Sequence, residues 1–133
     1  MDEIEKTIDE FIAMKSGELI SDPSGIIPIG CRAQFSRRSL KHFVESRLRS
    51  GSVRKDILYL VEKAPEVVEV PQLCVPNPNA TYPGSSLLGR FYQDVEKAVI
   101  VILDRDKEVR DIISLHFKNK IDFEKMLELY KKQ

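Results

Sequence analysis

His42 and His116 are the only imidazoles in this 133-residue chain. An unperturbed imidazole titrates at about 6.5, which suits it to moving protons near neutral pH. Arg47 and Arg90 are cations able to hold an anion, and Lys41 adjoins His42. Ser114 stands two residues before His116, and the rings of Tyr82 and Tyr92 are able to stack on a base. Such a set fits metal-free chemistry, with histidines transferring protons and arginines stabilising negative charge as it develops. Two histidines cannot build a multi-histidine metal site, and the chain has no HExxH, glycine-rich phosphate loop or Gly-x-Ser-x-Gly elbow. Cys31 and Cys74 form no CxxC or Cys/His cluster, so two reduced thiols, or at most one disulfide, are expected. No cofactor and no metal is called for.

Positioning these groups falls to helices first and strands afterwards. Ile4, Ile8, Phe11 and Ile12 mark an amphipathic helix over residues 2–16, ended by Gly17. Residues 26–34 read as extended, with Pro28 and Gly30 favouring an edge strand or a loop over a central strand. A second helix starts with Ser36 as N-cap and stops before Gly51, with Leu40, Phe43, Val44 and Leu48 on its apolar face. Arg47 projects into that stripe, so it must be paired, snorkelling or lining a cavity. His42 projects almost opposite the stripe, which faces it away from any sheet below. A third helix follows Ser52, carries Val53, Ile57, Leu60 and Val61 on one side, and stops before Pro65.

From Glu66 the pattern turns to period two. Residues 66–70 are a short β-branched run, and residues 76–86 form the longest irregular stretch. Strands are expected over 87–93, 97–103 and 109–117, joined by short polar hairpin connectors. The run Ala98 to Leu103 is apolar on both faces, as a central strand covered twice should be. In the last strand Arg110, Ile112, Ser114 and His116 alternate with Val109, Asp111, Ile113, Leu115 and Phe117. A meander that brought the Leu88/Arg90/Tyr92 face beside Ser114 and His116 would gather four chemical groups on one concave surface. The same residues would equally serve as the plain solvated side of a sheet. Asp122 is expected to cap a final helix built on Phe123, Met126, Leu127 and Tyr130.

Charge is neutral overall but uneven. Residues 1–20 hold six acids against two lysines, whereas residues 31–55 hold eight bases against Glu45 alone. That asymmetry can build an anion-attracting surface on a neutral protein, or simply solvate a helix face. The longest apolar run is far short of the roughly 20 residues that cross a bilayer. The acidic N-terminus lacks the pattern of a secretory signal, so the cytoplasm is the expected location and no membrane is expected as a partner.

The string from Phe35 through Lys41-His42 to Arg47 resembles the Leu-Lys-His…Arg helix of a nuclease group. That group is the phage-associated branch of the barnase–EndoU–colicin–RelE-like nucleases. The resemblance continues through Val67-Val68, Pro76-Asn77, Arg90-Phe91-Tyr92 and Val99 to Ile102, ending at Ile112 to Phe117. It covers residues 31–130 and implies an α+β fold with N-terminal helices packed on an antiparallel β-meander, barnase/RelE-like, followed by a short C-terminal helix. It also implies a metal-independent, toxin-like endoribonuclease cleaving RNA by 2′-OH transphosphorylation, with an immunity or antitoxin protein as a further partner. His42 would match the helix histidine, Arg47 the arginine after it, Arg90 the sheet arginine and Ser114 the terminal-strand hydroxyl. His116 joins them as a second proton-transfer group, with Lys41, Tyr82 and Tyr92 as substrate contacts. The alternative is a non-enzymatic protein-binding or regulatory domain on a related scaffold. On either reading the chain is expected to be a single domain, with the acidic helix of residues 1–17 peripheral to a core over residues 31–130.

Overall fold

Gly51 shows how the first described helix ends. In the computed structural model, which describes residues 19–21, 32–34, 37–78, 83–104 and 109–131, helix α1 spans Arg37–Arg49. The Ser52 amide donates to the Arg47 carbonyl at 3.0 Å and the Gly51 amide to the Leu48 carbonyl at 3.1 Å, the paired bonds of a Schellman turn. Gly51 adopts φ +86°, and nothing lies within 4 Å of where a Cβ would be. Backbone conformation, not lack of space, demands glycine there.

Helix α2 spans Arg54–Glu69 and runs straight through Pro65. This corrects the expected stop and turns residues 66–69 from a strand-like run into helix. The reason lies in the apolar face. Ile57, Leu60, Val61, Ala64, Val67 and Val68 form one continuous helical stripe, and Val67 and Val68 are completely buried. Burying two valines, each worth about 1.5–3 kcal/mol, outweighs the roughly 3 kcal/mol that an internal proline costs.

The strands are β1 (Leu19–Ser21), β2 (Arg32–Gln34), β3 (Leu73–Pro76), β4 (Ser86–Tyr92), β5 (Lys97–Leu103) and β6 (Val109–Asn119), followed by helix α3 (Lys120–Lys131). β3 to β6 form an antiparallel meander. The whole sheet has the order β1-β2-β6-β5-β4-β3. It is mixed, because β2 runs parallel to β6 through Arg32↔Val109 to Gln34↔Asp111. β1 also lies beside α2. β3 was not foreseen, since Pro71 and Pro76 hide the short apolar run between them. The expected helix over 2–16, the N-cap at Ser36 and residue Tyr82 lie outside the described residues.

Both sheet faces are covered. α1 and α2 pack on one through a core that includes Phe43, Val44, Leu60, Val61, Leu88, Val99, Val101 and Leu115. α3 packs on the other, setting Phe123 against Leu87, Ala98, Ile100 and Ile102, with Met126 and Leu127 beside it. β5 is thus buried on both sides from Ala98 to Leu103, as its sequence required. Asn119, not Asp122, caps α3. The Asn119 side-chain oxygen accepts the Asp122 amide at 2.8 Å, while its Nδ2 donates to the Asp122 carboxylate at 2.9 Å. No helix among the described residues is long and apolar enough to cross a membrane.

Candidate functional site

Sheet register decides which nominated residues can meet. Arg90 lies opposite Val99, and Val99 opposite Phe117. Directly paired residues point to the same side of a sheet, so Arg90 and Tyr92 face α1 and α2. Ile100 lies opposite His116 and Ile102 opposite Ser114, which places Ser114 and His116 on the α3 face. Arg90 and Tyr92 therefore do not share a surface with Ser114 and His116. An irregularity in the β5–β6 ladder, where Leu103 pairs with Ile112 rather than Ile113, also moves Ile112 to the side covered by α1 and α2.

Arg90 is engaged in holding the fold. Its Nη1 donates to the Val70 carbonyl at 2.9 Å, and its Nε lies 3.5 Å from the Glu66 carboxylate. Val70 is the C-cap of α2, a helix with no basic residue in its last turn. Arg90 supplies from the sheet the positive charge that a helix C-terminus favours. Tyr92 is buried and donates its hydroxyl to the same Glu66 carboxylate at 2.7 Å. Burial, then that hydrogen bond and the charge of Glu66, push the Tyr92 hydroxyl well above its ordinary value. It is a core side chain and not an exposed stacking platform.

Around Tyr92 lies an aromatic cluster that sequence reasoning missed. The Tyr59 ring meets Tyr92 edge-on and Phe117 at a tilt, each at 6.0 Å between centroids. Lys63 Nζ sits 5.5 Å from the Tyr59 ring and 5.2 Å from Tyr92, and Lys97 Nζ sits 5.2 Å from Phe117. Tyr59 also donates to Asp94 at 2.8 Å. Beside it, Lys55, Leu58, Tyr59 and Glu62 line an open depression of about 470 Å³ on the flank of α2.

On α1, Lys41 and His42 are exposed while Phe43 and Val44 are buried, so His42 looks outward as its projection implied. Arg47 is half-buried with its guanidinium 5.5 Å from the Phe43 ring. Its Nη2 donates to the Leu115 carbonyl at 2.8 Å. Past Asp111, β6 has no strand neighbour on its outer side among the described residues, and Arg47 takes up a backbone acceptor there.

That bond brings Arg47 to the backbone next to His116. Burial, then the charges of Arg47 and Lys118, push the His116 imidazole down to about 4. Lys118 lies opposite Ala98, on the same face as His116. Sequence reasoning passed over Lys118, although its i+2 spacing from His116 was visible. The nominated residues thus separate into three places: Arg90 and Tyr92 under α2, His42 and Lys41 on the outside of α1, and Arg47 beside the β6 row of Ser114, His116 and Lys118. No group of His, Cys, Asp or Glu able to hold a metal ion occurs among the described residues. Comparison with known proteins finds no matching family model, no matching curated protein and no matching solved structure.

Proposed function

We propose that this chain is a non-enzymatic binding domain, protein-binding or regulatory, on an α+β scaffold. The observation that carries this reading is the opposite facing of Arg90 and Ser114. An acid–base pair and its anion-holding cations must all reach one substrate, within about 3 Å of the atoms they serve. Arg90 is instead spent on the Val70 carbonyl and Glu66, and His42 stands apart on the outside of α1. The test is incubation of purified protein with tRNA and mixed RNA in EDTA. Wild type should leave RNA intact, as should a His42→Ala/His116→Ala double variant. Cleavage by wild type that disappears in the double variant would overturn the binding reading.

One observation favours a second reading, the metal-independent endoribonuclease. Arg47 is anchored beside His116, with Lys118 on the same face. A histidine neutral at pH 7 could accept the 2′-OH proton while the two cations hold the phosphate.

A further inference from the structure

We infer that the outer edge of β6, from Ser114 to Lys118, is where an extended acidic segment of a partner protein adds to the sheet as a further strand. This rests on the binding-domain reading and names the class of partner. The Asp104 amide donates to the Asp111 carbonyl at 2.9 Å, which fixes the alternation along β5. Ile102, Ile100 and Ala98 therefore bond toward β6, to their partners Ser114, His116 and Lys118. Leu115 and Phe117 lie between those partners and turn their N–H and C=O groups off the edge of the sheet. Arg47 agrees with this, since it reaches the Leu115 carbonyl from α1, at 2.8 Å. β2 matches β6 only from Val109 to Asp111, so no strand among the described residues takes up the outward groups further along. Such a row of backbone donors and acceptors is a template for strand addition.

Charge selects the occupant. Arg47 meets the edge from the α1 side, and Lys118 flanks it on the α3 side. Neither has a carboxylate partner among the described residues. Two copies of the chain joined through this edge would bring their cations together, whereas a strand carrying carboxylates complements both faces. The chain's own acidic segment before Leu19 is a poorer fit, because Ile4, Ile8, Phe11 and Ile12 follow a helical period and not the period of two that a strand needs. As the incoming strand donates an N–H to the Leu115 carbonyl, the Arg47 fork passes to a carboxylate of that strand, a stronger, charge-assisted bond.

The test is amide NMR and hydrogen exchange on the full chain, titrated with a short peptide that alternates glutamate and valine. Saturable shifts and several-fold slower exchange are expected at Leu115 and Phe117, with Val101 unaffected. A glutamine–valine peptide should bind several-fold more weakly at low salt, and a central proline, which removes an N–H, should abolish binding. Arg47→Met should erase most of the preference for glutamate. Lys118→Gln, at a half-exposed position, should erase part of it with the thermal midpoint close to wild type. No protection at Leu115 and Phe117, or equal binding of a lysine–valine peptide, would overturn the proposal. So would amides already protected in the free monomer, which means the edge is filled in cis, or protection that grows with protein concentration alone, which means a second copy fills it. The RNA assay decides the binding-domain reading separately: intact RNA without edge protection sinks this site alone, and RNA cleavage alongside edge protection sinks that reading alone.

Discussion

Gly89, in the middle of β4, is the position where a single methyl group should do most to test the packing of α3. A Cβ built there would lie 2.6 Å from Cε1 and 3.3 Å from Cζ of Phe123, and 2.9 Å from Cδ1 of Ile100. Carbon atoms pack at about 3.5–4.0 Å, so the ring edge must retreat by roughly 1 Å. Ile100 can swing its terminal methyl aside. Phe123, 1% exposed and flanked by Met126 and Leu127, cannot move without taking α3 along. Overpacking of this kind costs about 1–3 kcal/mol. Removing glycine's backbone freedom returns roughly 0.5–1 kcal/mol. Gly89→Ala should therefore destabilise by about 1–2 kcal/mol net, a fall of roughly 4–8 °C in Tm for a chain of this size. Urea unfolding and thermal melts measure it. Phe123→Leu removes the ring edge, so the double variant should lose less than the sum of the singles, by about 1 kcal/mol of coupling. If Gly89→Ala equals or exceeds wild-type stability, or if the two changes simply add, the contact does not hold α3 in place.

Three further predictions follow from the same geometry. Replacing Asn119 by alanine removes the α3 cap and should cost about 1 kcal/mol, with faster amide exchange at Asp122; unchanged exchange would show that the cap is idle. Arg90→Met, which removes the charge at the end of α2, should cost about 1 kcal/mol in urea unfolding, and a neutral result would refute the capping role. The folded His116 imidazole titrates below its unfolded value, so the unfolded chain takes up its proton first as pH falls. Stability from this group is full above about 6.5 and drains away down to about 4, by on the order of 1–3 kcal/mol. His116→Gln should flatten that part of the pH–stability curve, and an unaltered slope would mean that the imidazole is not held neutral.

Where packing and local pattern agree, the sequence is a reliable guide. Lys97–Leu103 was legible because a strand buried on both faces must be apolar at every position, and the residues on either side are polar. α1 was legible from its stripe and from Gly51. Pro65 misled because proline is a local signal, whereas Val67 and Val68 continue a stripe whose value appears only against the sheet. The candidate surface failed on register. Parity along each strand is readable, but which parity of β4 sits beside which parity of β6 is fixed by cross-strand pairing. Leu88 and Tyr92, like Leu115 and Phe117, carried the hint, since apolar residues of neighbouring strands share a face. The irregularity at Ile113 left no mark in the sequence. The parallel pairing of β2 with β6 left none either, because three residues are too few to show a period.

That parallel pairing also sets an order of assembly. β4 and β5 close across a short turn from Tyr92 to Lys97, whereas Arg32 must find Val109. The longer closure costs roughly 2 kcal/mol more in chain entropy, and β2 pairs with β6 over only three residues. The β3–β6 meander and its helices are therefore expected to close first, and the β1–β2 pair to dock last and detach first. Native-state amide exchange at Ala33 should occur through such partial opening, well before exchange at Val101, and each opening would leave the start of β6 momentarily without its strand partner.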